Sequence, residues 1–543
     1  LEEYFDINSE GEVAIVLGNE RVEESARLMD GVYYFDLATV HKYFNERFYE
    51  DKNEQLLLYT LPEETVRVEI GSSSYITKDG PVDLGYPAAR YAQAFDGSGE
   101  ILYVAADYVK LFTGYSYQTF TGPDRMQVYA NGHSGESIKT AEIIKDTAVR
   151  YQGGVKSPIL KDVMVGEQVA VLEEMENWSK VKTEDAIIGY VENKRLGESG
   201  AGGMDVSPQP QTENASAFVN PEFTSISRPY KINLAWHAVA GTAGNDTLAS
   251  ALENTKGVNV ISPTWFKLSD NEGNFTSFAS RSYVDKAHDM GLEVWALVEN
   301  IEYKDAINMY EILSSTTTRG KLIDGLMSEV LSCGADGINV DFELISTDCG
   351  EHFIEFIREL SISCRKNGIV LSVDNYVPRG DTHHYDRQEQ GIVADYVVIM
   401  GYDEHYAGSS EAGSVASIDF VEEGIERTVE QVPAHKVINA IPFYTRIWET
   451  ADGKLSSQAV DMSVAEEYVR DHNIAVEWDE ETCQNYGEYT EGGSLFQIWL
   501  EDASSIEVKL NIMEKYQIGG VASWRLGYEK PEIWDVIGAY LSR

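Results

Sequence analysis

Positive charge, cysteine and long apolar runs are all scarce in this 543-residue chain, and each scarcity excludes something. Lysine and arginine number 43 against 90 aspartates and glutamates, a formal net charge of −47. A polyanion of that size is repelled by phosphate backbones and anionic lipid, so neither nucleic acid nor a membrane surface is an expected partner. No apolar run approaches the roughly 18 residues needed to cross a bilayer. The chain begins at Leu1 without an initiator methionine and reads as a mature or trimmed ectodomain, and so acidic a surface suits an extracellular or cell-envelope setting. The four cysteines, Cys333, Cys349, Cys364 and Cys483, include no Cys-x-x-Cys pair. Two disulfides could form in three connectivities, but Cys333 and Cys364 fall in apolar helical patterns, so buried free thiols are the expectation. His383 and His384, in the polar segment THHYD, have no companion ligands and read as solvated loop, so neither metal nor cofactor is expected.

What is present is the composition of a folded protein, 43% hydrophobic with 11% aromatics, in a chain too long for one ordinary core. Residues 1–135 carry a weak internal repeat. Tyr34, Val40, Tyr43, Phe48 and Tyr59 are echoed 69 positions later by Tyr103, Val109, Phe112, Tyr117 and Val128. Each copy reads as a strand, a helix and a returning strand, with the aromatics as core before a sugar-binding surface. The layout resembles the stalk modules of the copper amine oxidase N-terminal type. Residues 136–197 switch to short alternating strands, EQVAVLEE, NWSKVKTED and IIGYVENKRL, separated by turn residues. With Gly166, Trp178, Val181 and Gly189-Tyr190-Val191 at their places, this segment resembles a bacterial SH3 domain, which implies attachment to a cell wall or simple spacing. Residues 198–228, opening on ESGAGGMDVSPQPQTENAS, have no apolar period and read as a flexible linker.

From residue 229 to the end, strand-like runs alternate with amphipathic helices. Strands are expected at Ile232 to Ala238, Val258 to Ser262, Leu292 to Val298, Gly337 to Phe342, Ile369 to Val373, Tyr396 to Met400, Val437 to Ile441 and Gly520 to Trp524. The helix stripe Leu322, Ile323, Leu326, Met327, Val330 and Leu331 ends at Gly334, a C-cap; the next, through Phe353, Phe356, Ile357 and Leu360, ends at Gly368. Eight strands with crossover helices in about 315 residues suit an α/β (β/α)8 TIM barrel. A doubly wound open sheet is the competitor, but no Gly-rich phosphate loop follows the first strand.

The chemistry concentrates in Asp336 to Glu343, DGINVDFE. On a strand, Asn339, Asp341 and Glu343 share one face and Ile338, Val340 and Phe342 the other. Carboxylates pointing the same way raise one another's pKa, the setting an acid catalyst needs. In a barrel Glu343 falls at the C-terminal end of the fourth strand with Asp341 below it. Other strand ends bring Trp236, Asn375 and Tyr376, Tyr402 and Asp403, Tyr444 and Arg446, and Trp524 toward it. Asp336 reads as a structural acid near the barrel base, and Trp499, Glu501 and Asp502 as either cleft residues or a helix cap.

DGINVDFE and MGYDEHY (Met400 to Tyr406) resemble the DxxDxDxE and MxYD signatures of glycoside hydrolase family 18, the chitinase and N-acetylglucosaminidase family. SPTWF, INAIPFYTRIW, IWLEDASSI and GGVASWRLG are similar to its spore-cortex and germination branch. The resemblance implies a substrate-assisted, retaining hydrolase cutting β-1,4 bonds after N-acetylglucosamine in bacterial peptidoglycan or spore cortex. In it Glu343 is acid and then base, Asp341 orients the substrate acetamido group, and Tyr402 holds the acetamido carbonyl. Asn339, Trp236, Asn375, Tyr376, Asp403, Tyr444, Arg446, Trp499 and Trp524 form the expected substrate-binding set, with Trp524 as the floor. A chitinase or endo-β-N-acetylglucosaminidase, and a non-catalytic lectin-like barrel, are the alternatives. The expected partner is an N-acetylglucosamine-containing polysaccharide, with chitin behind peptidoglycan, and the chain is expected to be a monomer. One departure stands out: the family's usual second Asp is Asn339 here. The expectation is that Asp341, with a neutral neighbour, ionises more readily and the acid limb of the pH profile moves.

Overall fold

The computed structural model describes residues 1–130, 139–198, 200 and 218–543. Most of the expected linker lies outside them. The chain divides into two compact units, Leu1–Glu222 and Phe223–Arg543.

In the first unit the sequence repeat is a pair of strand-helix turns. Val32–Asp36 leads into the helix Leu37–Tyr43, and Glu100–Ala105 leads into Ala106–Val109. The two strands pair with each other antiparallel, Val104 opposite Phe35, inside a seven-stranded sheet. Asp36 caps its helix by accepting from Thr39 N at 2.8 Å. The repeat aromatics Tyr34, Tyr59, Tyr103 and Phe112 are core, with Tyr59 and Phe112 stacked at 4.4 Å. The SH3-like segment is a six-stranded antiparallel sheet from Lys139–Glu142 to Ile188–Glu192. Gly189 is required there, because a Cβ would lie 2.5 Å from the Arg150 carbonyl oxygen on the crossing strand. Phe5, Ala14 and Val16 share this core with Val149, Val181 and Val191.

The second unit is a closed barrel. Its eight parallel strands are Ile232–His237, Val260–Pro263, Glu293–Glu299, Gly337–Asp341, Val370–Tyr376, Tyr396–Met400, Val437–Pro442 and Gly520–Trp524. The eighth pairs with the first and the second with the third, so the ring has no open edge. Helices follow the strands, among them Thr316–Cys333 and Gly350–Asn367, which end at Gly334 (φ 78°) and Gly368 (φ 65°) in the left-handed conformation expected of a glycine C-cap. Alternation along each strand sorts side chains between two cores. Leu234, Trp236, Trp295, Leu297, Val398 and Ala440 fill the barrel interior, while Val294, Val340, Phe342, Val373 and Ile399 face the helices. Gly337 makes room for the large interior ring of Trp295, since a Cβ there would come within 2.7 Å of the indole.

Two features depart from the expected chain plan. The barrel unit begins at Phe223, inside the expected linker, because Phe223 packs on the barrel core and Ile226 N donates to Asp395 Oδ1 at 2.7 Å. Between the seventh and eighth strands the chain also builds an antiparallel five-stranded sheet, unforeseen from sequence. It comprises Tyr444–Ala451, Lys454–Asp461, Val476–Asp479, Gln484–Glu491 and Ser494–Trp499, with the helix Met462–Asp471 inserted. Two of its hairpins close on Asp452-Gly453 and Gly492-Gly493, all four residues with positive φ, which is the two-residue turn that matches strand twist. None of the four cysteines is disulfide-bonded; three are buried and Cys483 is half-buried.

Candidate active site

Glu343 stands just beyond the fourth strand, where Leu344 turns the chain in a left-handed conformation (φ 55°) and is itself exposed. Its main chain is gripped from the third strand: Glu343 N donates to Asn300 Oδ1 at 2.8 Å, and Asn300 Nδ2 donates to Glu343 O at 2.7 Å. Its carboxylate accepts from Tyr376 Oη at 3.1 Å, and the same phenol oxygen accepts from Leu344 N. Burial raises the Glu343 pKa above the ordinary carboxylate range; the Tyr376 hydrogen bond opposes this, and the charges of Asp403 and Glu299 add to it. The net direction favours the protonated form, which is the form a general acid needs.

Asp341, one step down the same face, is held more extremely. Burial, followed by repulsion from Asp374, Glu343 and Glu299, lifts its pKa well above the usual value. Its Oδ1 is buried without a hydrogen-bond partner among the described residues. This overturns the expectation that Asp341 ionises readily beside a neutral Asn339. The reasons are burial first and then a carboxylate from another strand. Asp374 is buried, its pKa is pushed up to about 8 by burial despite a hydrogen bond from Asn339, and it adds charge beside Asp341.

Asn339 itself is 0% exposed. Its Oδ1 accepts from Trp236 Nε1 at 3.0 Å, and its Nδ2 donates to Ser372 Oγ at 2.9 Å and Asp374 Oδ1 at 2.8 Å. The amide is spent on three interior partners, so Asn339 and the buried Trp236 support the site from beneath and do not present the substrate contacts expected of them. Trp236 lies 5.9 Å, ring to ring, from Trp524, which is half-buried at the end of the eighth strand.

On the far side, Tyr402 has no hydrogen bond from its hydroxyl among the described residues, and its ring meets that of Tyr444 edge-on at 6.2 Å. Burial, then the neighbouring Tyr444 and Asp341, keep its phenol protonated far above the usual range, so it is available as a donor. Tyr444 donates to Asp403, and Arg446 donates to Ser457 Oγ at 3.0 Å from the same strand of the inserted sheet. Trp499, on that sheet, packs against Tyr486 at 4.7 Å.

Several assignments change. Asn375 points away from the interior, exchanging hydrogen bonds with Gln390 on the helix behind the fifth strand. Tyr376 is at the site, but it braces Glu343. Glu501 is a buried partner of Lys509 at 3.1 Å, and Asp502 caps the helix Ala503–Lys515 in a capping box, so neither lines the cleft. Asp336 accepts from Val294 N and His288 Nε2, both at 2.8 Å, at the start of the strand, as a structural acid should. The THHYD segment is only partly solvated: His383 is exposed, but His384 meets the Ile345 carbonyl at 2.7 Å and Tyr385 is buried behind Glu343. Sequence reasoning misses Asn300, Glu299 and Asp374. Alternation through VLSVDNY puts Ser372, Asp374 and Tyr376 on one face, and extending the third strand one residue reaches Glu299, so two of the three had a signal.

Residues 218–529 match the family described as Glycosyl hydrolases family 18, and residues 145–197 match the Bacterial SH3 domain. A Bacillus subtilis (strain 168) protein named as a sporulation-specific glycosylase, YdhD, is 28% identical over 225 residues, 40% of this chain and 53% of that one. The cortical fragment-lytic enzyme of Bacillus anthracis is 25% identical over 236 residues, 42% of this chain and 54% of that one. The chain thus spans about half the length of these two relatives. Among solved structures, the Bacillus cereus spore cortex-lytic enzyme SleL superposes with a TM-score of 0.52 at 23% identity, covering 59% of this chain and 76% of that one. A chitinase from Chromobacterium violaceum ATCC 12472 does so with a TM-score of 0.52 at 22% identity, covering 58% and 99%. These structural likenesses establish the barrel fold.

Proposed function

Because this chain belongs to the glycosyl hydrolases of family 18, we propose that it hydrolyses β-1,4 bonds on the reducing side of N-acetylglucosamine in bacterial peptidoglycan or spore cortex, with retention of configuration. The observation that carries the reading is the pairing of Glu343, whose pKa burial raises, with an Asp341 whose buried Oδ1 lacks a partner among the described residues. Glu343 protonates the departing glycosidic oxygen. The substrate's own acetamido oxygen attacks the anomeric carbon, so no second protein carboxylate need act as nucleophile. Asp341 Oδ1 receives the acetamido N–H and balances the positive charge that develops on the oxazolinium, the kind of charge a preorganised site stabilises best. Tyr402 donates to the acetamido carbonyl and holds it against the anomeric carbon, a positioning effect. Trp524 forms the floor beneath the sugar ring. Water activated by Glu343, now the base, opens the intermediate from the same face.

The choice of peptidoglycan or cortex over chitin is supported by the relatives named for cortical fragments and sporulation, and by the bacterial SH3 domain at residues 145–197. An extracellular, envelope or spore setting follows from that substrate. Against a lectin-like barrel stands the acid itself: a binding protein has no use for a carboxyl braced by Tyr376 and pushed by burial toward its protonated form. The test is mass spectrometry of fragments released from purified peptidoglycan and spore cortex, with chitin oligomers and high-mannose glycoprotein alongside. New N-acetylglucosamine reducing ends from the wall polymers, absent with Glu343→Gln, are expected. Release from chitin or glycoprotein alone overturns the substrate, and tight sugar binding without any new reducing end overturns the reaction.

A further inference from the structure

We propose that Asp374 is a positioning residue that shares one proton with Asp341, so that the buried pair carries a single negative charge, and that this charge settles on Asp341 when an acetamido N–H reaches it. The fourth and fifth strands run parallel with Val340 opposite Val373, so Asp341 and Asp374 occupy the next register position on neighbouring strands. Alternation puts both on the interior face, beside Asn339, which bonds to Asp374 and Ser372 together. Among the described residues no lysine, arginine or histidine pairs with either carboxyl. Two carboxylates in such a place cannot both ionise, and they titrate as one unit.

The other groups facing Asp341 strengthen this. Glu343 stands above it just past the end of its strand and Glu299 beside it on the third, the latter 3.9 Å from Lys267, a distance too long for a hydrogen bond. Tyr402 follows the sixth strand, and beyond it Tyr444 bonds to Asp403, which Arg446 faces. Asn339 and Trp236 are neutral. With Asn339 donating to Asp374 and, among the described residues, nothing donating to Asp341 Oδ1, the first proton the pair releases in the free protein leaves Asp374 and the last stays on Asp341. Arrival of an N–H donor at Asp341 reverses the preference. The proton leaves an Asp341 oxygen and joins an Asp374 oxygen, no other bond changes, and the pair stays at one negative charge. The chain thereby supplies from the fifth strand the carboxylate that Asn339 does not.

The catalytic consequence rests on the glycosidase reading above, whereas the shared proton does not, and two measurements separate them. Infrared spectroscopy of protein carrying carbon-13-labelled aspartate should show a protonated-carboxyl band near neutral pH. It should titrate away at a pH lower by about one unit or more in Asp374→Asn, because a lone Asp341 no longer has the neighbouring charge that holds the pair's last proton. An unchanged midpoint in Asp374→Asn overturns the proposal whatever the activity. In the pH dependence of kcat, Asp374→Asn should move the acid limb upward by about one unit or more, because a lone Asp341 takes up its inactivating proton at higher pH than the pair does. The exchange variant, Asn339→Asp with Asp374→Asn, keeps one amide and one carboxyl in mutual hydrogen bond. It should restore both the band and the limb. A purely structural Asp374 would lower activity evenly across pH, and an exchange variant with native near-UV circular dichroism but no paired band overturns the inference even where the single variant does not fold.

Discussion

Asn300 clasps the main chain of Glu343 on both sides, its carbonyl oxygen accepting from Glu343 N at 2.8 Å and its amide nitrogen donating to Glu343 O at 2.7 Å. The two bonds bridge the C-terminal ends of the third and fourth strands and set the direction in which the carboxyl leaves the backbone. Replacing Asn300 by Ala frees that backbone and lets the acid drift by a fraction of an ångström. The expected outcome is a fall in kcat of about tenfold to a hundredfold with little change in KM, since positioning of the reacting group is what is lost. Steady-state kinetics on an N-acetylglucosamine oligomer reads it, and an unchanged kcat would refute the positioning role.

Tyr376 tunes the acid as well as holding it. Its hydroxyl hydrogen-bonds the ionised carboxylate and so pulls the Glu343 pKa down against burial. In Tyr376→Phe the ionised form loses a donor, the pKa rises further, and the general acid stays protonated to higher pH. The basic limb of the pH profile should therefore move upward, while the acid limb stays where it is. A basic limb that moves down would show that another group sets it.

At the barrel base Asp336 closes the entry of the fourth strand by accepting from Val294 N and His288. Asp336→Ala leaves the Val294 N–H without its acceptor and should destabilise the barrel by about 1–3 kcal/mol. Because the residue lies at the opposite end of the strand from Glu343, turnover at a temperature well below unfolding should remain that of the parent. Thermal denaturation and kinetics, measured together, separate the two.

Lys509 and Glu501 form an ion pair in which both side chains are almost wholly buried, 1% and 0% exposed. Lys509→Met removes the cation and strands the carboxyl, at a cost of about 3–5 kcal/mol. The double variant Lys509→Met with Glu501→Leu should recover most of that loss, because the pair's own net worth is small beside the penalty for leaving half of it. Chemical denaturation of the three proteins tests the cycle.

Much of the barrel was legible because period and punctuation agreed. All eight strands appear within three residues of the expected bounds, and Gly334 and Gly368 end their helices as read. DGINVDFE sorted correctly into an inward polar face and an outward apolar one for the same reason. What was illegible depended on register between strands. Asp374 sits beside Asp341 only because Val340 opposes Val373, a tertiary fact, so the substitution at Asn339 looked like the loss of a charge when the charge had another source. At the end of the fifth strand Asn375 and Tyr376 were both expected at the cleft, although two adjacent strand residues must point opposite ways. The inserted sheet escaped because its strands, such as Lys454–Asp461, are polar and half exposed, and only the Asp-Gly and Gly-Gly turns announced them.

The short strap ahead of the first strand sets how small the barrel can be cut. Lys436 Nζ, buried below the seventh strand, donates to Gly391 O, Ala394 O and Ser225 Oγ; Asp395 accepts from Leu371 N and Ile226 N; and Arg365 donates to the Thr224 carbonyl. A chain trimmed to begin at Pro229 keeps every strand and helix yet leaves a buried ammonium and a buried carboxylate each one partner short. The smallest autonomous form of the barrel is therefore defined by charge satisfaction and starts at Phe223, ahead of anything that secondary structure alone would mark as its edge.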